Sequence, residues 1–177
     1  MSHGVEIVAK SQVTSPFDRE VARIWALNQE EREDEALELA VSLVERYPDD
    51  PRSYFEYAGV LDFQGREADA VAPYRRAQTL GLSGDDVPRL YVQLGSTLRN
   101  VGQLEEAVRF LAEGRQRFPD HAAIRAFHAL ALVSAGRCLE AAVTLLELVT
   151  EQSLSIDFDG YDRALRQYTD ELREGSS

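Results

Sequence analysis

Of the 177 residues only one is cysteine, one lysine, one methionine and one tryptophan. A lone Cys138 excludes an internal disulfide and can give a metal site at most one thiolate. A disulfide-stapled secreted module is therefore excluded. Positive charge is also scarce, with 19 basic side chains against 31 acidic ones and a formal net charge of −12. A protein that grips phosphate backbones collects cations on one face, so nucleic acid is not an expected partner. Long apolar runs are missing as well. The longest stretch without a formally charged side chain, Ala126–Gly136, covers 11 residues, against about 20 needed to span a bilayer. The amino terminus shows no charged-then-apolar leader pattern. A soluble, cytoplasmic chain with no membrane partner is expected. The basic set is 18 arginines plus Lys10, a skew that fits a GC-rich bacterial genome and says little about function.

Glycine and proline, 11 and 6 in number, cluster at Pro48–Pro51, Gly65, Gly81–Pro88, Gly102, Pro119, Gly136 and Gly160. Between them lie long segments rich in Ala, Leu, Glu and Arg, which favour helix over strand. Apolar residues recur at helical spacing, as in Leu37, Val41 and Val44, and no stretch alternates long enough to argue a half-buried strand. The chain reads as all-helical.

Three series of residues repeat in step. Ala36, Ala70, Ala107 and Ala141 stand 34, 37 and 34 residues apart, and Glu31, Gly65, Gly102 and Gly136 keep the same intervals, as do Pro48, Leu82, Pro119 and Ser153. The shared three-residue excess falls in Gly81–Val87, where a loop is already indicated. The period is 34, and a period of this length marks a stacked repeat. In Pro88–His121 a first helix carries Tyr91, Leu94, Gly95 and Leu98 on one face, Gly102 ends it, and a second helix from about Leu104 carries Ala107, Val108 and Leu111. Gly95 and Ala107 offer almost no side chain, so the two helices can cross closely. Pro119 stops the second helix. Such a pair cannot bury its apolar faces alone and must stack on neighbours.

These residues resemble the tetratricopeptide repeat family, whose pattern is aromatic-x₂-Leu-Gly-x₂-Tyr, then Ala-x₃-Phe, then Pro. The third unit carries Tyr91, Leu94, Gly95, Leu98, Ala107, Leu111 and Pro119, and the second Tyr54, Tyr57, Ala58, Leu61, Ala70 and Tyr74. The fourth keeps Ala129, Leu132, Ala141 and Leu145, whereas the first holds register through Leu27, Ala36, Ala40 and Pro48. The resemblance implies an all-α, right-handed solenoid of antiparallel helix pairs. Its expected organisation is a mobile arm over 1–16 and four repeats over 17–50, 51–87, 88–121 and 122–156. A carboxy-terminal capping helix and tail follow over 157–177. Tyr161, Leu165, Tyr168 and Leu172 share one face of that helix, and Asp157 and Asp159 stand where they can cap or charge its start.

No catalytic constellation emerges. His3, His121, His128 and Cys138 have no metal-ligand or nucleophile spacing, and the acidic run from Asp157 to Asp162 fails as a calcium loop because Arg166 stands where a bidentate glutamate is needed. The densest charge run, Glu30, Glu31, Glu33, Asp34, Glu35 and Glu38, reads as a turn and helix start favoured by the helix dipole. Arg75, Arg76, Arg115 and Arg117 fall on second helices and read as solvated surface. Neither catalysis, metal nor cofactor is expected; an enzyme built from scattered carboxylates such as Glu56 and Asp62 is the remaining enzymatic alternative.

The resemblance further implies that positions 2, 5, 9, 12 and 13 of each first helix face a concave groove. Family members that grip a partner's terminal carboxylate place basic and amide side chains at positions 5 and 9. Here those positions hold Val21, Phe55, Val92, Ala126 and Trp25, Gly59, Ser96, Leu130, which argues against that specificity. The expected site is a partly apolar trough of Trp25, Phe55, Phe63, Val92 and Leu130, with Asn28, Asp62, Arg99 and Asn100 as polar anchors. Aromatic groups beside arginine are typical of interaction surfaces. Two readings stay open: a groove for a peptide or helix of a partner protein, or, by similarity to a small bacterial subgroup that dimerises, a homodimer scaffold closed through the same trough.

Overall fold

A computed structural model describes residues 15–151 and 158–174. Most of the arm expected over 1–16, together with Ser153 and Asp157, lies outside the described residues. Among the described residues there are nine helices and no strand: α1 Pro16–Gln29, α2 Glu33–Arg46, α3 Pro51–Phe63, α4 Glu67–Thr79, α5 Asp86–Asn100, α6 Leu104–Arg117, α7 Ala122–Ser134, α8 Cys138–Glu151 and α9 Asp162–Glu174. The first eight form four antiparallel pairs stacked as a right-handed solenoid, with α1, α3, α5 and α7 touching in series on one side.

Each pair is closed by the same local device. Glu31, Gly65, Gly102 and Gly136 all adopt positive φ, at 60°, 71°, 80° and 74°. That left-handed residue lets the following N–H reach back to a leucine carbonyl in the last turn. The bonds are Arg32 to Leu27 at 2.9 Å and Arg66 to Leu61, Gln103 to Leu98 and Arg137 to Leu132 at 2.8 Å. Glycine adopts this conformation without steric cost, so the series seen in the sequence is a backbone requirement, and Glu31 meets it under strain.

Helix starts are equally explicit. Pro16 and Pro51 occupy first positions, where a missing N–H costs nothing, behind Ser15 and Asp50, whose side chains accept from the N–H groups of Asp18 and Arg52. His121 begins α7 by accepting from the Ile124 N–H through Nδ1 at 3.3 Å, while its Nε2 donates to Asp159 at 2.9 Å. Helix α5 starts at Asp86, two residues before Pro88, so the inserted residues form a loop around Gly81 and Gly84.

The core runs between the helix pairs. Gly95 on α5 leaves the space that Leu111 on α6 fills: a Cβ there would lie 2.5 Å from Leu111 Cγ. Gly114 does the same for Tyr91, whose ring would meet a Cβ at 2.7 Å and whose hydroxyl donates to Glu113 at 2.6 Å. Second helices are laced by ion pairs, Arg75 of α4 with Glu106 of α6 at 2.7 Å and Arg115 of α6 with Glu147 of α8, so two of the arginines read as solvated cross-link neighbouring repeats. In the acidic turn Arg32 bonds both Glu30 and Glu35.

Helix α9 closes the stack from its concave side. Tyr161, Ala164, Leu165 and Tyr168 pack on the main core. Tyr161 and Tyr168 meet the Phe127 ring edge-on at 5.6 and 6.0 Å, and the Tyr168 hydroxyl lies 3.2 Å from Ser96 Oγ. One consequence is that α8 keeps an apolar outer side, with Leu139 80%, Val143 48% and Val149 63% exposed. Among the described residues no helix is long and apolar enough to cross a membrane.

Candidate functional site

Between the first three repeats and α9 the trough forms a pocket of about 370 Å³. Trp25 on α1 and Gly59, Asp62 and Phe63 on α3 form one wall, and Val92, Gln93 and Ser96 on α5 form the floor. Phe127, Tyr161, Ala164 and Tyr168 close the far side, and Tyr74 reaches in from α4.

Trp25 is fixed by its indole N–H, which donates to Glu56 Oε2 at 2.6 Å. Its six-membered ring lies over Gly59, where a Cβ would sit only 3.1 Å from Cζ2, so the missing side chain seats the ring. Phe63 meets Trp25 edge-on at 6.1 Å and is 57% exposed, an unusual state for a large aromatic group. Asp62 sits beside them, and its Oδ2 accepts from Thr97 at 3.0 Å and from Tyr74 at 3.4 Å. Burial pushes its carboxyl up to about 6, against the lowering effect of the Thr97 hydrogen bond. Burial likewise raises Glu56, partly offset by the Trp25 N–H, and Tyr74 beside the Asp62 charge.

The nine residues expected at the trough therefore separate. Trp25, Asp62, Phe63 and Val92 come together in the pocket, Val92 as a fully buried part of its floor. Phe55 is buried against Tyr74, with the Arg89 guanidinium 5.1 Å above its ring, because at position 5 the α3–α5 contact closes over it. Asn28 is buried, accepting from Gln64 at 3.2 Å while its Nδ2 finds no partner among the described residues. Leu130 is half-buried against the core, and Asn100 is exposed, accepting from its neighbour Arg99. Arg99 lies at the edge, its guanidinium 4.2 Å from the Tyr168 ring centre. Sequence reasoning missed Tyr74, Gln93, Phe127, Tyr161 and Tyr168 as pocket residues. The spacing of Tyr161 and Tyr168 marked an apolar helix face, yet nothing local stated which surface that face would meet.

Two residues singled out in the sequence lie apart from the trough. His128 is held down to about 4, first by burial and then by Arg115 and Arg137. Cys138 is exposed at the start of α8. Among the described residues no cluster of three or more potential metal ligands occurs.

Residues 51–172 match the family described as Tetratrico peptide repeat. The chain belongs to the tetratricopeptide repeat family. Solved tetratricopeptide-like structures superpose on it. A candidate kinesin light chain from Podosopora anserina with nearly identical TPR-like repeats gives a TM-score of 0.72 at 16% identity, over 93% of this chain and 96% of that one. MamA of Desulfovibrio magneticus RS-1 gives 0.64 at 16% identity over 79% of each chain, and a MamA protein crystal structure gives 0.66 at 14% identity over 80% and 79%. At such identities the likeness concerns the fold. No curated protein matches the sequence. Tetratricopeptide stacks typically serve protein–protein interaction through their extended concave surface.

Proposed function

We propose that this tetratricopeptide protein is a non-enzymatic interaction module that holds a helix or extended segment of a partner protein in its concave trough. Trp25, Asp62 and Phe63 form the contact centre, and Arg99 and Asn100 flank it beside α9. The observation that carries the reading is Phe63, more than half exposed on the wall of an aromatic pocket that α9 leaves open. An exposed aromatic side chain next to a recess supplies a large apolar contact at little cost in side-chain entropy. The carboxylates of Asp62 in the pocket and Glu56 behind Trp25, bonded to Thr97 and Tyr74 and to the indole N–H, are accounted for as parts of this architecture.

The test is partner capture by wild type, Phe63→Asp and Arg99→Glu, with helical circular dichroism as the control. Loss of capture with unchanged helicity supports the trough, and retained capture by both variants places the interaction elsewhere. A second reading, self-association, is favoured by a different surface, the exposed apolar side of α8. Light scattering on Val143→Glu separates it: a dimer that this substitution dissolves and Phe63→Asp does not would assign self-assembly to α8.

A further inference from the structure

The pocket has a charge pattern that the proposed function does not use. Of the described residues lining it six are aromatic, and Asp62 is the one charged member among them. The donors to Asp62, the hydroxyls of Thr97 and Tyr74, are neutral, so its negative charge is hydrogen-bonded and not compensated. The nearest arginines of the trough are committed elsewhere. Arg99 stacks on Tyr168 and bonds Asn100, while Arg89 lies over Phe55, pairs with Asp86 at 2.7 Å and reaches the Tyr161 hydroxyl, so that neither pairs with Asp62. A desolvated carboxylate beside several ring faces is an environment that favours a cation, because the ring quadrupoles and the carboxylate attract the same charge. Behind Trp25 the Glu56 carboxylate accepts the indole N–H, its charge offset in part by Arg89 and Arg52. The stacking of Arg99 on Tyr168 shows the same chemistry already in use within this trough.

We infer that the pocket recognises a basic side chain, arginine or lysine, on the partner segment, its charged head pairing with Asp62 and its stem lying against Trp25 and Phe63. This rests on the trough being the binding surface. It names the partner's chemistry: an amphipathic segment carrying one basic residue among apolar ones. The net charge of −12 adds a field that draws such a segment in. An acidic or purely apolar segment would leave Asp62 buried without compensation.

The experiment is selection from a displayed library of random helical peptides on the full chain, with counter-selection on Phe63→Asp. Peptides that depend on Phe63 should carry Arg or Lys at one fixed position flanked by apolar residues. Replacing that residue by citrulline or norleucine should weaken binding to wild type about tenfold, and should change nothing on Asp62→Asn. Trp25 is the single tryptophan, so its emission reports binding from within the pocket. The peptide-side replacement uses the unaltered protein and does not depend on a variant folding. Phe63-dependent peptides without a fixed basic position, or an equal loss on Asp62→Asn, would overturn the inference and leave the trough intact as a binding surface. Absence of any Phe63-dependent peptide would remove both readings. A wild-type dimer dissolved by Phe63→Asp would mean that a second copy fills the pocket, which also overturns the basic-segment assignment.

Discussion

Asp62 is the residue at which stability and recognition should be in conflict. Its carboxyl is moved by burial from 3.8 to about 6, a displacement of roughly two units, equivalent to about 3 kcal/mol at most. The sign follows from the direction. A carboxyl raised in the folded state contributes stability that is fully present below the unfolded value near 3.8 and is lost as pH rises through about 6. At pH 8 the folded protein carries the full cost of a buried anion, and at pH 4 almost none. Asp62→Asn keeps an acceptor for Thr97 and Tyr74 and removes the charge. It should therefore raise Tm at pH 8 by up to roughly 6–12 °C for a domain of this size and leave it nearly unchanged at pH 4. The assay is thermal unfolding of both proteins by circular dichroism across that range. The quantity that decides is the change in the difference with pH, since any intrinsic effect of the amide is common to all conditions. A difference that stays constant from pH 4 to 8, or one that favours the wild type at pH 8, would refute the argument that Asp62 is an uncompensated buried charge.

Three further outcomes follow from the same structure. Glu31→Gly should stabilise the protein by about 1 kcal/mol, because a side chain at φ 60° is strained where glycine is not; urea unfolding checks this, and destabilisation would contradict it. Gly95→Ala should destabilise by about 1–3 kcal/mol despite alanine's better helix propensity, because the added Cβ lies 2.5 Å from Leu111; an unchanged urea midpoint would mean that α5 and α6 cross less closely. Neutral His128, held at about 4 by burial, contributes stability that is present above about 6.5 and lost as pH falls through 4. His128→Gln should flatten the acid side of the stability curve, and an unaltered slope between pH 6.5 and 4 would show that another group is responsible.

How much of this could be read beforehand depended on the range of the interaction involved. The positive-φ series, the leucine carbonyls that close each pair and the proline starts are local, set within five residues of chain, so they stood in the sequence as a 34-residue period. The close crossing of α5 and α6 at Gly95 joins neighbours in one hairpin and was legible for the same reason, although Leu111, and not the small Ala107 expected there, fills the space beside Gly95. The trough was only half legible. Trp25, Asp62 and Phe63 share a wall because α1 and α3 follow the repeat, but Phe55 and Val92, placed by the same register, are buried by the contact between α3 and α5.

The sequence by itself determined the helices, their caps, their pairing and the order of the stack, because those are properties of short-range backbone geometry and of apolar residues at fixed spacing. Only the tertiary structure decided where α9 went. Its apolar face, Ala164, Leu165 and Tyr168 with Tyr161 just before it, is compatible with any apolar surface of suitable width, and among the described residues the outer side of α8 is another such surface. The concave side offers Phe127 for both tyrosine rings, Ser96 for a hydroxyl and Arg99 for a ring face. That choice covers the concave side at Phe127 and Ser96, leaves the aromatic pocket around Asp62 open and leaves α8 exposed. It depends on partners some 30–70 residues apart in the chain, a separation at which no local pattern carries information.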